Sequence, residues 1–151
     1  MDNNKHKMYL VQILTDIYSD RELSVTLGFK GETAAMLFYG LPRFSVDLDF
    51  NLLDRTFAEK TYQKVKKIVL RYGKIHDEAQ KFFGDLLSLN YGHGERNLKI
   101  DISHRVENDE YVIRNLLGIN VKIMEISDMF SHKLVALLGR KEFAERDIFD
   151  C

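Results

Sequence analysis

The stretch that decides the fold runs from Phe29 to Leu53 and reads FKGETAAMLFYGLPRFSVDLDFNLL. In it a glycine, Gly31, follows an apolar run and leads into a short helix that we predict from Thr33 to Tyr39. The chain then breaks at Leu41-Pro42, because proline cannot continue a helix. Apolar and polar residues alternate from Val46 to Leu52, which predicts a strand with one buried face.

Two carboxylates, Asp47 and Asp49, share the polar face of that strand with Asn51. Carboxylate oxygens are ligands that Mg²⁺ prefers, and the unpaired N–H groups at the start of a helix can bind a phosphate. The aspartates beside the glycine-opened helix therefore predict a divalent-metal site facing a phosphate site. Gly31 alone is weak support, because a glycine at such a turn more often serves only the backbone conformation. Ser45 precedes Asp47 by two residues on the same side of the strand, so its hydroxyl can face the same pocket.

A third carboxylate, Asp101, belongs to another predicted strand, residues 97–103, in which apolar and polar residues alternate. A lone aspartate on a strand usually faces only solvent. If the two strands are neighbours, however, Asp101 converges with Asp47 and Asp49, and the three carboxylates would repel one another without a cation. This arrangement favours a metal site formed by all three.

The composition indicates one globular domain. The chain has 151 residues, of which 45% are hydrophobic and 30% charged, and this is enough for a substantial core. The formal net charge of -1 excludes a global basic field, so a polyanion would have to bind a local patch or a metal. The only cysteine, Cys151, excludes an internal disulfide and a cysteine-based zinc site. Because the sequence has no membrane span and no signal-peptide core, we expect a cytoplasmic location.

Periodicity predicts the other elements of the chain. The helix predicted from Thr56 to Tyr72 carries the most basic face, which is either a solvated surface or a contact for RNA phosphates. A glycine-containing turn at residues 92–94 predicts a hairpin. The remaining predicted elements are helices at 5–18 and 126–138, strands at 24–29, 74–79 and 85–91, and a β ribbon at 111–124.

Three charged residues outside the predicted strands are further site candidates. Arg43 lies in the connection into the aspartate strand, where it either contacts a phosphate or carboxylate or is an ordinary surface arginine. Lys133 lies on the apolar stripe of the helix at 126–138, so it either extends to solvent or reaches into a cleft to meet negative charge. Asp147 shares a helical face with Phe143, which would turn it toward Lys133.

Four separated segments carry a resemblance to a known family. They are KGETA at 30–34 with LFYGLPRFSVDLDF at 37–50, KIDIS at 99–103, HKL at 132–134 and RDIFD at 146–150. In this order the segments resemble the AbiEii/AbiGii-type toxin family of nucleotidyltransferases, in the DNA polymerase β-like superfamily. The resemblance implies an α+β nucleotidyltransferase fold, which is a mixed β-sheet with helices packed on it.

The resemblance also implies an activity and partners. The family transfers a nucleoside monophosphate from an NTP to an acceptor, which in relatives is the 3′ end of tRNA, and it depends on Mg²⁺ with a two-metal site possible. Two such ions, roughly 3.5–4 Å apart, can stabilise both the attacking and the leaving oxygens. Membership further implies a toxin–antitoxin or phage-abortive system with a separately encoded antitoxin protein.

Catalytic residues are assigned by carrying over the positions of the motifs. Asp47 and Asp49 would bind the metal, and Asp101 would complete the metal site or act as general base on the attacking hydroxyl. Lys133 would hold the triphosphate, because lysine offsets negative charge on the outgoing pyrophosphate. Asp147 would support that lysine or the nucleotide.

The nucleotide-binding residues implied by the resemblance are Lys30, Gly31, Glu32, Arg43, Ser45 and Lys133, and Ser45 matches a serine that can carry phosphate in some toxins of this kind. One departure is Glu32, where the family usually has glycine or serine. A carboxylate there would oppose an incoming phosphate unless the side chain turns away. Members are also generally longer, so we expect residues 1–151 to form a single domain whose C-terminal helical part is missing.

Two other functions remain open at this point. Glu32 and the early chain end favour a catalytically silent module of the same fold that binds a nucleotide or a partner protein. A structural α/β domain with scattered surface aspartates would instead place Asp47, Asp49 and Asp101 far apart. The relative positions of the three carboxylates discriminate this last alternative from the others.

Overall fold

The structure, a computed structural model, describes residues 2–105 and 108–138. The helices in these ranges are α1 (Asn3–Ser19), α2 (Leu23–Thr26), α3 (Gly31–Phe38), α4 (Ala58–Val69) and α5 (Ile126–Leu138), with a 3₁₀ turn at Arg55–Phe57. The strands are β1 (Leu27–Lys30), β2 (Leu48–Leu52), β3 (Lys74–Lys81), β4 (Gly84–Asn90), β5 (Leu98–Ser103), β6 (Tyr111–Leu116) and β7 (Ile119–Met124).

A mixed seven-stranded sheet forms the centre of the fold, in the order β3-β4-β5-β2-β1-β7-β6. The pairs β2/β5 and β1/β7 are parallel, and the other neighbouring strands are antiparallel. β2 therefore lies in the middle of the sheet, between β1 and β5. The α+β class and the mixed sheet expected from the sequence are confirmed.

The hydrophobic core forms where α1 and α4 pack against each other and against the sheet. Both helices bury an apolar stripe at helical spacing, and each large apolar side chain so buried contributes about 1.5–3 kcal/mol relative to an exposed one. The fully buried side chains include Leu10, Ile13, Leu14 and Ile17 of α1, Val65 and Val69 of α4, and Phe29 and Phe50 of the central strands. This core fixes β1 and β2, and with them the segment between them.

The strand predicted at 24–29 is wrong in its first half. Leu23–Thr26 forms a helical turn, and β1 covers Leu27–Lys30. Asp20 is the cause, because its Oδ1 accepts the backbone N–H groups of Glu22 and of the next residue at 3.0 Å each, which starts a helical turn. The other predicted elements within the described residues are confirmed, with shifts at their ends.

Candidate active site

The three carboxylates predicted to converge do lie on adjacent segments. Asp49 lies in β2, and Asp47 is the residue directly before β2, since this strand begins two residues later than the alternation predicts. Parallel pairing of β2 with β5 puts Asp49 opposite Asp101. The structural-domain alternative, which required these aspartates to lie far apart, is therefore wrong.

Burial and the neighbouring carboxylates together raise the pKa values of Asp49 and Asp101. Burial raises the pKa of Asp49 to about 7, the charges of Asp101 and Asp47 add to the rise, and Lys30 opposes it from the neighbouring strand. The pKa of Asp101 is also raised, first by burial of its carboxyl and then by the charge of Asp47. Asp101 as a whole residue is exposed, so we expect a smaller effect of burial there than at Asp49. Negative charge is thus concentrated around Asp49.

The donor set fits a hard divalent cation. Three carboxylates on adjacent segments supply oxygen ligands, and a bound cation would relieve the repulsion that adds to the effect of burial on the pKa of Asp49. Within residues 2–105 and 108–138, no three His, Cys, Asp or Glu side chains lie close enough together to hold a metal ion as they stand. The fit therefore rests on the donor chemistry and the shared charge.

The turn at Gly31 requires glycine for two reasons. Its φ of +87° lies in the left-handed region, which L side chains rarely adopt. A Cβ atom added there would lie 2.6 Å from Asp49 Oδ2. α3 begins at this residue, and the side chain of its N-cap residue, Lys30, forms no capping hydrogen bond. The helix start therefore lies directly against the acidic site, as a phosphate site beside a metal site requires.

The hydroxyl of Ser45 lies within the same site. Ser45 is buried, and its Oγ is hydrogen-bonded to Thr33 Oγ1 at 2.8 Å. Thr33 also donates a hydrogen bond to the carbonyl oxygen of Asp47. These contacts join the first turn of α3 to the segment that carries the first aspartate.

Glu32 forms ion pairs with two of the candidate phosphate-binding cations, Arg43 and Lys133. Its Oε1 lies 3.2 Å from Lys133 Nζ, and its Oε2 contacts the Arg43 guanidinium. The side chain of Lys133 is only 19% exposed, so it reaches into the cleft and does not extend to solvent. Arg43 binds a carboxylate, one of the two contacts considered for it from the sequence. An incoming triphosphate would compete with Glu32 for these cations.

A cleft of about 890 Å³ connects these groups, and this volume is within the range of small-ligand sites. It is lined on one side by the acidic and phosphate-site residues and on the other by α5 and the end of β7. The lining residues include Lys30, Gly31, Glu32, Ser45, Asp47, Asp49, Ser103, Arg105, Met129, Phe130 and Lys133. Asp101 borders this set through its pairing with Asp49, and Asp147 lies outside the described residues.

Sequence reasoning missed a histidine that supports the site from behind. His6 of α1 is fully buried, and its Nε2 lies 2.8 Å from the carbonyl oxygen of Val46, the residue before Asp47. Its Nδ1 lies 2.6 Å from Tyr91 Oη. Because the carbonyl can only accept, Nε2 carries a proton and donates it to Val46. The signal was available, since His6 lies on the same helical stripe as Leu10 and the other buried residues of α1.

Asn51 also differs from its predicted place on an open polar face. It is buried, and its Nδ2 donates a hydrogen bond to Tyr111 Oη at 2.8 Å. The polar face of β2 therefore lines the cleft at Asp49 and not at Asn51, whose amide is bonded to a side chain of β6.

The fold is that of proteins described as nucleotidyltransferases. The structure is similar to a crystal structure from H. pylori described as a nucleotidyltransferase, with TM-score 0.69, 25% identity, and coverage of 97% of this chain and 64% of that chain. It is also similar to JHP933 from Helicobacter pylori, with TM-score 0.68, 25% identity, and coverage of 98% and 63%. An antigenic nucleotidyltransferase-like protein from Paracoccidioides brasiliensis shares the fold, with TM-score 0.61, 13% identity, and coverage of 93% and 72%.

The chain belongs to the AbiEii family, described as nucleotidyl transferase AbiEii toxins of type IV toxin–antitoxin systems, whose model matches residues 12–151. The chain spans less than two thirds of the length of the two H. pylori chains. A search among curated proteins found no match. In the described part of the chain, no helix has both the length and the apolar character needed to cross a lipid bilayer.

Proposed function

We propose that this chain carries the catalytic cleft of a Mg²⁺-dependent nucleotidyltransferase toxin, which transfers a nucleoside monophosphate from an NTP to the 3′ end of an RNA, with tRNA as the acceptor. The observation that supports this most strongly is the pairing of Asp49 with Asp101, beside Asp47 and against the Gly31 turn. Carboxylates, a helix start and a lysine across one cleft are the groups that phosphoryl-type transfer needs.

Each residue has a distinct part in this proposal. Asp47 and Asp49 hold the metal, which when bound stabilises charge on the attacking and leaving oxygens. Asp101 completes the metal site or takes the proton of the attacking hydroxyl, for which its raised pKa is suited. The backbone N–H groups at Gly31 contact phosphate, and Lys133 offsets the charge of the departing pyrophosphate.

The remaining assignments follow from the same proposal. Lys30 and Arg43 add positive charge beside the triphosphate, and Ser45 lies where a phosphate could be accepted. Asp147 supports Lys133. We further propose a separately encoded antitoxin as protein partner, a cytoplasmic location, and a single domain over residues 1–151.

The test is incubation of the protein with each labelled NTP and total tRNA, with and without Mg²⁺. We expect label on tRNA from one NTP or a subset, only with Mg²⁺, and none with Asp47→Asn. Asp77→Asn is a matched control, because it removes the same charge from the exposed edge strand β3. Labelling by Asp47→Asn at the parent rate would show that the chemistry is assigned to the wrong residue.

A second candidate function is a catalytically silent module that binds a nucleotide or a protein. It is favoured by one observation, the ion pairs that Glu32 forms with Lys133 and Arg43 where a triphosphate would bind. Calorimetry with NTP and Mg²⁺ separates the two functions. Binding without transfer to any RNA supports the module, and transfer supports the enzyme.

A further inference from the structure

Two phenylalanines form the exposed tip of the β3–β4 hairpin. Phe82 and Phe83 are the residues between Lys81, the last of β3, and Gly84, the first of β4. They are 74% and 57% exposed, and their rings contact each other edge to face with centroids 4.8 Å apart. Exposing two adjacent aromatic rings to water is unfavourable, and at a hairpin tip the rings add little to the core. A binding role explains their position.

Each ring is paired with an arginine. The Cζ atom of Arg55 lies 5.5 Å from the ring centroid of Phe82, and that of Arg105 lies 5.2 Å from the ring centroid of Phe83. These distances are within the range of cation–π contacts. Aromatic rings that stack bases, together with arginines that contact the backbone, are the combination used to bind single-stranded nucleic acid.

The hairpin tip is held at the end of the strand that carries Asp101. The carbonyl oxygen of Phe83 accepts the backbone N–H of His104 at 2.9 Å, and Arg55 Nε donates to the carbonyl oxygen of His104 at 2.9 Å. With a rise of about 3.3 Å per residue, the tip lies about 10 Å along β5 from Asp101. A short single-stranded end can span this distance.

Arg105 connects the tip to the proposed active site. It lines the main cleft together with Asp47 and Asp49, and it also lines a smaller adjoining cavity of about 260 Å³ with Arg55. Asp54 is the acidic residue of that cavity, and its carboxylate caps the 3₁₀ turn by accepting the N–H and hydroxyl of Thr56. Positive charge and aromatic rings therefore continue from the cleft to the hairpin tip.

We propose that Phe82 and Phe83 form a stacking platform for the single-stranded end of the acceptor RNA, with Arg55 and Arg105 contacting its phosphates. The platform rests on the proposed transfer to RNA and adds where the acceptor binds. A partner protein is the competing occupant, but the two arginines and the continuity with the cleft favour a polyanion that ends at the active site.

The test measures binding of a fluorescently labelled, mixed-sequence single-stranded RNA by anisotropy, at low salt, with EDTA and without NTP. We expect F82A/F83A to bind about tenfold more weakly or worse, because stacking contributes about 1–3 kcal/mol per base. F82Y/F83Y should bind as the parent does. F82L/F83L, which keeps the apolar side chains but loses the π faces, should bind as weakly as the alanine variant.

Two controls complete the design. Leu117→Ala removes an 80% exposed apolar side chain at the tip of the β6–β7 hairpin, on the opposite edge of the sheet, and should leave RNA binding unchanged. Arg105→Gln should reduce the slope of log affinity against log salt by about 0.7, as expected for one lost phosphate contact with a single strand. Thermal unfolding of every variant checks that the fold is kept.

Several results would overturn the platform: no RNA binding by the parent, parent-like binding by F82A/F83A, or parent-like binding by F82L/F83L. The last would indicate an apolar docking surface for a protein. Asp47→Asn separates this proposal from the proposed function, because it should bind RNA like the parent while transferring nothing. Ring-dependent RNA binding without nucleotide transfer by the parent would refute the enzyme and leave the platform supported.

Discussion

Replacing Gly31 by alanine tests whether the helix start and the acidic site are in contact. The structure gives two penalties: a φ of +87°, and an added Cβ that would lie 2.6 Å from Asp49 Oδ2, 3.1 Å from its Cβ and 3.2 Å from its Cγ. Gly40 is a matched control, since its φ is +74° and an added Cβ there meets nothing within 4 Å. The two substitutions therefore share the backbone penalty and differ in the contact.

The backbone penalty is about 1–2 kcal/mol for an L residue in this region, and it is partly offset by about 0.4–1 kcal/mol from the less flexible unfolded chain. Gly40→Ala should thus lower the free energy of unfolding by roughly 1 kcal/mol. Gly31→Ala should cost about 1–3 kcal/mol more, because crowding in a packed site costs this much and the whole Asp49 side chain must move. The excess over Gly40→Ala is the quantity of interest.

The assay is urea unfolding of both variants, compared at a common m value. A second measurement places Gly31→Ala in an Asp49→Ala background, where the crowding oxygen and Cγ are gone and the excess should shrink. Equal losses for the two glycines, or an excess that persists without the Asp49 carboxylate, would refute the contact between the turn and the acidic site.

Three further predictions concern charge and hydrogen bonding. The pKa of Asp49 is raised to about 7, so the folded state binds the proton of this carboxyl more tightly than the unfolded state. The stability that this proton contributes is fully present below about pH 4 and is lost as the pH rises to about 7. In EDTA, Asp49→Asn should flatten this fall in unfolding free energy, and Mg²⁺ should restore stability at pH 8 in the parent but not in the variant. Glu32→Gln should bind NTP with Mg²⁺ several-fold to about tenfold more tightly, as measured by calorimetry, because the substitution weakens the ion pairs that compete for Arg43 and Lys133. Unchanged or weaker binding would contradict this competition. Tyr111→Phe should cost about 1–3 kcal/mol in thermal unfolding, because it leaves the buried Asn51 amide without its acceptor, and a loss below about 0.5 kcal/mol would count against that hydrogen bond.

The acidic cluster could be predicted because Asp49 and Asp101 lie on alternating strands and Asp47 directly precedes one of them. Alternation alone put Asp47 and Asp49 on one face and gave Asp101 the same environment. It could not tell which strands are neighbours, because the parallel pairing of β2 with β5 is set by the packing of the whole sheet. The sequence therefore predicted that the three carboxylates converge only if β2 and β5 are neighbours, and the sheet order shows that they are.

The contacts of Glu32 could not be predicted in the same way. Lys133 is 101 positions away along the chain, and nothing in local periodicity relates the two residues. The sequence did indicate a lysine on an apolar stripe and an unusual carboxylate at the glycine turn. The ion pair between Glu32 and Lys133 becomes evident only from the path of α5 along the cleft.

The buried hydrogen bond from His6 to Val46 makes the first helix part of the site's architecture. The family match begins at residue 12, so a fragment trimmed to that boundary would lack the imidazole and the first turns of α1. The backbone next to Asp47 would then lose the hydrogen bond from His6 to the Val46 carbonyl. For this chain, the boundary of recognisable homology is therefore a poor guide to where a working fragment can start.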